Sequence, residues 1–370
     1  MKKPFRLDMI PLQGSARQRG RIYGESVREK IHAMLEEVKE AILHKTGDEG
    51  EELLKSFIRS TGYLARAEAE TPELVEEVRG LAEGANLSFD AAFALQSVEG
   101  LSIHAHHGET NCALGACSAL AVWAQPGYPT LLAQNADNSA AWHDKLTLLH
   151  VRYPDSDTEV YTLTFSGLLG VYGMNSHGLG VCINSLGLLR KSDDGLSVPL
   201  VSRRLLECRT VPEAEAFLRG TRHLAGENFV IGGHDRAVSY ECSANQVAAY
   251  RPQDEPGRLF HTNHILVNRD QIDTTTLPES TQARIPIHQA NSQTRMTTLQ
   301  TFLKDKHPVT VADIQAALST HGESPVCNHL DDANPANVTN YGMVMELSAH
   351  PVLHVSSGPP CSNAFWRFTF

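Results

Sequence analysis

Residues 115–137 read GACSALAVWAQPGYPTLLAQNAD. Ser118 to Ala124 is an apolar run of strand length, Gln125-Pro-Gly-Tyr-Pro129 is turn chemistry, and Thr130 to Gln134 is a second apolar run. Two short apolar runs joined by Pro and Gly predict a β-hairpin, here closed by the polar group Gln134-Asn-Ala-Asp137. Cys117 stands at the first residue of that hairpin, behind the small residues Gly115 and Ala116.

Upstream of the hairpin the pattern is helical. Ile22, Val27, Ile31, Met34, Leu35, Val38 and Ile42 recur near helical spacing in a long segment opened by Gln18-Arg-Gly-Arg. Gly47 to Gly50 interrupts it, and Leu53 to Ala69 resumes the period. Thr71-Pro72 predicts another start, with Thr as N-cap, Pro in the first turn, and Glu73, Glu76 and Glu77 at the positive end of the dipole. That helix is expected to stop at Gly84, and a shorter one to run from Ser88 through Leu95. His104-Ala-His-His107 matches no helical or hairpin ligand pair and reads as a polar loop.

Downstream the texture changes to strands. Leu146 to Tyr153, Glu159 to Ser166, Leu168 to Asn175 and Gly178 to Ser185 are β-rich and separated by turn residues. Pro199 to Leu205 and Val211 to Leu218 read as helices. Asn228 to Gly232, Ala237 to Cys242, Gln246 to Tyr250 and Leu259 to Thr262 return to strand. Thr281 to Leu303 and Val311 to Leu318 are helical, and Val338 to Leu347 and Pro351 to Val355 supply the last strands. This order predicts an α+β fold with layered, largely antiparallel sheets.

The 370 residues carry 32 basic and 43 acidic side chains, a net charge of −11 with no basic cluster. That balance argues against nucleic acid or an anionic membrane as partner. No stretch approaches the roughly 20 apolar residues of a membrane span, and none of the first residues reads as a signal peptide, so a cytoplasmic protein is expected. The seven cysteines (Cys112, Cys117, Cys182, Cys208, Cys242, Cys327 and Cys361) show no CxxC spacing. They fit reduced thiols better than a disulfide frame or a zinc site, and neither a metal nor a cofactor is expected.

A thiol of ordinary pKa, about 8.5, needs a base to act as a nucleophile at neutral pH. No Cys-His-Asn arrangement follows from spacing. A cysteine freed at a chain terminus carries its own base, an α-amine with a pKa near 8. The small Gly115-Ala116 pair would let the preceding peptide bond bend toward the thiol for an N-to-S shift. On these residues alone Cys117 is either a buried structural cysteine or such a nucleophile.

The ordered set of motifs carries more. Gly115-Ala-Cys-Ser-Ala with Gln134-Asn-Ala-Asp137, Gly173-Met-Asn-Ser-His-Gly-Leu-Gly with Ile183-Asn-Ser-Leu, Glu227-Asn-Phe-Val-Ile, Tyr240-Glu-Cys-Ser, His261-Thr-Asn-His264, Ser280-Thr-Gln-Ala-Arg284 and Gly358-Pro-Pro-Cys-Ser follow one another in order, within a likeness that covers the chain from about residue 16 to the end. Together they resemble the acyl-coenzyme A:6-aminopenicillanic acid acyltransferase family of cysteine Ntn-hydrolases, relatives of choloylglycine hydrolases and penicillin V acylases. The resemblance implies a four-layer αββα sandwich of two antiparallel sheets flanked by helices. It implies cleavage between Ala116 and Cys117 into a helical chain 1–116 that stays bound and a catalytic chain 117–370. Cys117 would be the nucleophile with its α-amine as base, and Asp137 would orient that ammonium. Asn228 would donate to the oxyanion, Asn184 would be a second donor, and Arg284 would lie by the thiolate. His264 and Asn175 would contact substrate, and His261 would be a structural or pocket residue and not the base of a Cys-His dyad. Asp137 also reads as a turn residue, Asn184 as a strand residue and Arg284 as a surface arginine.

Two departures from the family pattern stand out. Ala116 occupies the position where many members have Gly, and Cys112 offers a second thiol, without the small lead-in and too far from Asp137 for one hairpin. The activity implied is hydrolysis of a linear amide of a small N-acyl amine or amino acid through an acyl-enzyme. Transfer of the acyl group from a thioester or amide to an amine is the alternative, and a non-catalytic sandwich that binds a small ligand is a third reading. Partners are then the substrate and the chain's own N-terminal part, with homo-oligomerisation left open.

Overall fold

The hairpin forms as read, but its second strand runs on through the polar group expected to end it. The computed structural model describes residues 7, 9–46, 50–105, 116–252, 256–322, 324–329 and 337–370, with the side chains of 42–46 and 51 excepted. Cys112, His106 and His107 lie outside the described residues.

Strand β1 (Met9–Leu12) leads into helices α1 (Ala16–Ser26), α2 (Arg28–Thr46), α3 (Gly50–Ser60), α4 (Tyr63–Glu70), α5 (Pro72–Ala85), α6 (Phe89–Gln96) and α7 (Val98–Ala105). The hairpin is β2 (Ser118–Val122) and β3 (Thr130–Ser139), followed by β4 (Leu146–Arg152), β5 (Glu159–Phe165), β6 (Tyr172–Asn175) and β7 (Gly180–Ser185). Helices α8 (Val198–Leu206) and α9 (Val211–Gly220) precede β8 (Glu227–Gly232), β9 (Ala237–Cys242), β10 (Val247–Tyr250) and β11 (Arg258–His261). Helices α10 (Glu279–Leu303) and α11 (Val311–Leu318) and strands β12 (Asn337–Leu347), β13 (Val352–Ser356) and β14 (Phe365–Thr369) complete the chain. The sequence predicts neither β1 nor β14, the two short strands at the ends, nor α7, which holds His104 and Ala105 of the expected polar loop in a helix. It also runs α1 and α2 together, whereas the chain turns at Val27.

Among the described residues two sheets stack. One has eight strands in the order β1-β4-β5-β6-β7-β8-β9-β10, with β1 parallel to β4; the other has six in the order β11-β2-β3-β12-β13-β14. Period-2 alternation sorts the side chains of the smaller sheet. Ala119, Ala121, Leu132, Met343 and Met345 face the larger sheet in the main core. Leu120, Val122, Leu131, Ala133 and Val344 face outward and pack against Leu299 and Leu303 of α10 and Ile314 and Leu318 of α11. The remaining helices share the main core with the larger sheet, so the architecture is the αββα sandwich.

Gln134 and Asn135 of β3 are buried with hydrogen bonds from their side chains, although Asn135 Oδ1 finds no donor among the described residues. Gln134 faces the other sheet and bonds both the N–H and the C=O of Ile183, at 2.8 and 2.6 Å. Asn135 faces the helices and donates to the carbonyls of Leu318 and Val326. A buried amide with its partners made costs far less than an orphaned one, so the strand continues.

The N-terminal helices are fastened to the later chain. Glu77 of α5 lies fully buried between Arg19 of α1, at 2.9 Å, and Arg203 of α8, at 3.0 Å. The α1–α5 crossing is so close that a Cβ on Gly80 would stand 2.0 Å from the Arg17 carbonyl oxygen. Gly84 belongs to this crossing and does not end α5; Asn86, in the left-handed region, does.

Candidate active site

Cys117 sits directly before β2, and the β2–β3 register that pairs Ser118 with Asn135 brings it opposite Ala136 and beside Asp137. Both are buried. The Asp137 backbone N–H bonds the thiol, and the Asp137 carboxyl adds negative charge beside it. On the far side of β3, the β12 ladder shifts register between Thr339 and Tyr341. Bulges of this kind re-aim side chains. Here Thr339 stays opposite Asp137 and its hydroxyl donates to Asp137 Oδ1 at 2.6 Å.

The nearby cation is Arg295. Its Nη1 donates to the Cys117 carbonyl oxygen at 2.7 Å and to Ser118 Oγ at 2.8 Å; Nη2 donates to Asn263 Oδ1 at 3.0 Å and Nε to Asn291 Oδ1 at 2.9 Å. Arg284, the expected residue, is exposed. Both lie on α10, and eleven residues are about three helical turns, so they share a face roughly 16 Å apart along the axis. The Ser280–Arg284 motif therefore matched the right helix face at the wrong turn.

These surroundings set the charges. Burial, then Asp137, push the Cys117 thiol up to about 12, with Arg295 opposing. Burial raises Asp137 to about 7 against the pull of the Thr339 hydrogen bond and of Arg295. Burial lowers Arg295 from its usual range, while Asp137 and Cys117 support its charge. With Cys117 in peptide linkage the site holds a neutral thiol beside a carboxyl that is half protonated near neutrality.

The thiol opens onto a cavity of about 180 Å³. It lies where β6 and β7 part: their ladder pairs Gly173 with Val181 and Met174 with Gly180, and at Ile183 the backbone bonds go to Gln134 instead. Trp142, Phe165, Leu168 and Val171 supply apolar wall, and Ser185 and Glu227 supply polar wall. The Tyr172 hydroxyl lies against the thiol, and its ring meets that of Tyr341 edge-on at 5.3 Å. Glu227 is buried, accepts from Ser185 Oγ at 3.2 Å, and leaves Oε2 without a donor among the described residues. Burial, then Glu99, raise its carboxyl well above the usual range. Leu95 to Glu99, from the chain ahead of Cys117, close another side.

Asn184 and Asn228 are register partners on β7 and β8. They face the space between the sheets, because Glu241, paired with Asn228, bonds His261 of the other sheet. Asn228 Nδ2 donates to Asn184 Oδ1 at 3.1 Å, and Asn228 Oδ1 accepts from Ser239 Oγ at 2.6 Å. Asn184 Nδ2 is buried without an acceptor among the described residues. The available donor thus belongs to Asn184, and Asn228 holds it in place. This reverses the order expected from sequence.

The two substrate positions expected from sequence are structural. Asn175 donates to the carbonyls of Leu206 and Cys208 and accepts from the N–H groups of His177 and Leu179, tying the β6–β7 turn to the end of α8. His264 does not line the Cys117 cavity; its Nδ1 bonds Ser292 Oγ at 2.8 Å, joining the segment after β11 to α10. Burial, then His261, hold its imidazole down at about 4. His261 is fixed by Glu241 at 2.9 Å and the Thr262 carbonyl at 2.7 Å, in keeping with a structural role. Within His261-Thr-Asn-His264 it is Asn263 that reaches the site, linking Arg295 to the Ser185 carbonyl. Tyr172, Thr339, Glu227 and Arg295 had no signal in spacing, since strand pairing, sheet stacking and the docking of α10 bring them to Cys117.

Residues 123–338, beginning just past Cys117 and covering more than half of the chain, match the family described as acyl-coenzyme A:6-aminopenicillanic acid acyl-transferase. The chain belongs to that family. It is 25% identical over 264 residues to the 40 kDa form of acyl-coenzyme A:6-aminopenicillanic-acid-acyltransferase of Emericella nidulans, 70% of each chain being covered. Similar solved structures include a Caenorhabditis elegans N-acylethanolamine-hydrolyzing acid amidase ortholog, with TM-score 0.44, 16% identity, and 62% of this chain and 92% of that one covered. A mutant conjugated bile acid hydrolase from Clostridium perfringens gives 0.44, 13%, 69% and 97%, and penicillin V acylase from Agrobacterium tumefaciens gives 0.40, 11%, 69% and 86%.

Proposed function

We propose that this chain is a self-processing N-terminal-cysteine amidohydrolase that cleaves a linear amide of a small N-acyl amine or amino acid. The observation that carries the reading is the buried Asp137 carboxyl, held by Thr339, beside a Cys117 that lines a cavity. In maturation the Cys117 thiol adds to the Ala116 carbonyl carbon, the peptide nitrogen leaves with the thiol proton, and water cleaves the resulting thioester. The new α-amine is a base with a pKa near 8, in a site where the unaided thiol stays protonated. Asp137 then has a cationic ammonium to pair with.

In turnover the α-amine takes the thiol proton as Sγ attacks the substrate carbonyl. Asn184 Nδ2 donates to the developing oxyanion. The ammonium returns its proton to the leaving amine, and water releases the carboxylic acid. The apolar wall suits the acyl part and the Glu227 side suits the amine. Leu95 to Glu99 line the same cavity, and Glu77 is buried between arginines of both parts, so the N-terminal chain stays bound after cleavage. A thiol nucleophile must remain reduced, which suits the cytoplasm.

The acyltransferase relative supports a second reading, in which an amine or a thiol of coenzyme A type replaces water as partner. Water access and acceptor binding decide between the two.

A denaturing gel and intact mass of the purified 40.5 kDa chain test the proposal. Division by length gives fragments of roughly 13 and 28 kDa. Cys117→Ala is expected to remain one chain and to release no amine from a panel of N-acyl amines, N-acyl amino acids and β-lactams. A wild-type chain that turns over while never cleaving would remove the α-amine from the mechanism. One that neither cleaves nor reacts at any pH would favour the non-catalytic sandwich.

A further inference from the structure

Away from the cavity, four side chains converge that the proposed reaction does not use. We propose that His321, Cys327, His329 and Cys361 form a binding site for one tetrahedral divalent ion of the zinc class. Their donor atoms all lie within 4.8 Å of one another. His329 Nε2 stands 3.0 Å from Cys361 Sγ and 3.8 Å from Cys327 Sγ, and the His321 and His329 rings stack at 5.3 Å.

The geometry and the chemistry agree. Around zinc, with bonds of about 2.3 Å to sulfur and 2.0 Å to nitrogen, the edges of the tetrahedron run from about 3.3 to 3.8 Å. The four donors already span nearly that space. Two thiols and two imidazoles without a carboxylate form a soft set that favours zinc over magnesium or calcium. Binding would form two Zn–S and two Zn–N bonds, release the two thiol protons to solvent, and take both imidazoles neutral, leaving a site of zero net charge. Cys327 is buried, whereas His321 and Cys361 are exposed and leave a path from solvent.

The ligands come from three stretches: the segment after α11, the loop before β12, and the turn between β13 and β14. The spacing Cys327-Asn-His329, with one ligand six residues upstream and another 32 downstream, resembles no zinc motif, so the site is not legible in the sequence. The loop also serves the candidate active site. Asn328 exchanges two hydrogen bonds with Thr339, its N–H donating to Thr339 Oγ1 at 2.8 Å and its carbonyl accepting from Thr339 N–H at 3.0 Å. Thr339 in turn holds Asp137. An ion here would staple the loop that positions that clamp.

The test uses the full chain, reduced, stripped with a chelator and reloaded with zinc alone. One zinc per chain by plasma mass spectrometry is expected, and cobalt in its place should give thiolate-to-cobalt charge-transfer and tetrahedral ligand-field bands. Cys361→Ser and His321→Ala change exposed residues and should keep the fold. Each is expected to weaken zinc binding, measured against a competing chelator, by more than the roughly 10–100-fold that a lost outer-sphere partner costs. Cys208→Ser and Cys117→Ala should keep one zinc per chain. The proposal is overturned if the reduced wild-type chain retains no zinc, if Cys361→Ser binds it undiminished, or if peptide mapping of the untreated protein shows a Cys327–Cys361 disulfide.

Discussion

Arg295 donates to the carbonyl oxygen of Cys117 at 2.7 Å, so a helix of the outer layer grips the main chain of the candidate nucleophile. The same guanidinium holds Ser118 and Asn263, and it is almost fully buried. It acts first as a geometric clamp and second as a positive charge beside Cys117 and Asp137.

Arg295→Met would leave the Cys117 carbonyl and Asn263 Oδ1 without their donor. Breaking such a buried charged network typically costs about 3–5 kcal/mol. Denaturant unfolding should show a loss of that order, and processing at Cys117 should fail. Arg284→Ala should fall within about 0.5 kcal/mol of wild type and process normally. Equal effects of the two variants would refute the assignment.

Asn184→Ala removes the donor that has no acceptor among the described residues. Loss of one oxyanion donor typically lowers kcat by about 10²–10³. That fall, with little change in KM, is expected in steady-state kinetics on the processed enzyme. Asn228→Ala, which loosens Asn184, should cost less. The opposite ranking would return the primary role to Asn228.

Asp137 makes the unprocessed chain pH-sensitive. Its carboxyl stands at about 7 when folded, above its ordinary value of 3.8, so the folded state binds the proton more tightly. As pH rises from about 4 to about 7, the unfolded chain loses this proton first, and stability falls across that window. Three units at about 1.36 kcal/mol each put the full penalty at up to about 4 kcal/mol above pH 7. In a Cys117→Ala background, which holds the chain uncleaved, Asp137→Asn should therefore be more stable than its parent at pH 8, with the gap closing toward pH 4.5. Thermal unfolding at the two pH values measures this; a gap independent of pH would count against a buried, protonatable Asp137.

Gly80→Val probes the attachment of the N-terminal helices. Its side chain would collide with the Arg17 carbonyl oxygen, a backbone atom that cannot swing aside. Overpacking of this kind costs typically about 1–3 kcal/mol. A lowered Tm is expected, and no change would mean that α1 and α5 separate without penalty.

The amino-acid sequence by itself determined the elements and their class. Apolar runs with period 2 and period 3.6, punctuated by Gly and Pro, placed the β2–β3 hairpin, the strands β4 to β11 and the helices α8 to α11 close to where they stand, because local propensity and burial agree there. Motif order pointed to Cys117, Asp137, Asn184 and Asn228, each on or next to a strand whose register fixes its direction. What the sequence could not carry were relations between separate elements. Arg284 and Arg295 share a helix face, and only docking α10 on the smaller sheet decides which turn lies over Cys117. Asn228 and Asn184 look alike until Ser239 and the β7–β8 pairing occupy one and leave the other's amide open. His321, Cys327, His329 and Cys361 are scattered along the chain and meet only when α11, the loop before β12 and the β13–β14 turn come together. Contact between distant residues is fixed by packing of layers, and no periodicity encodes it.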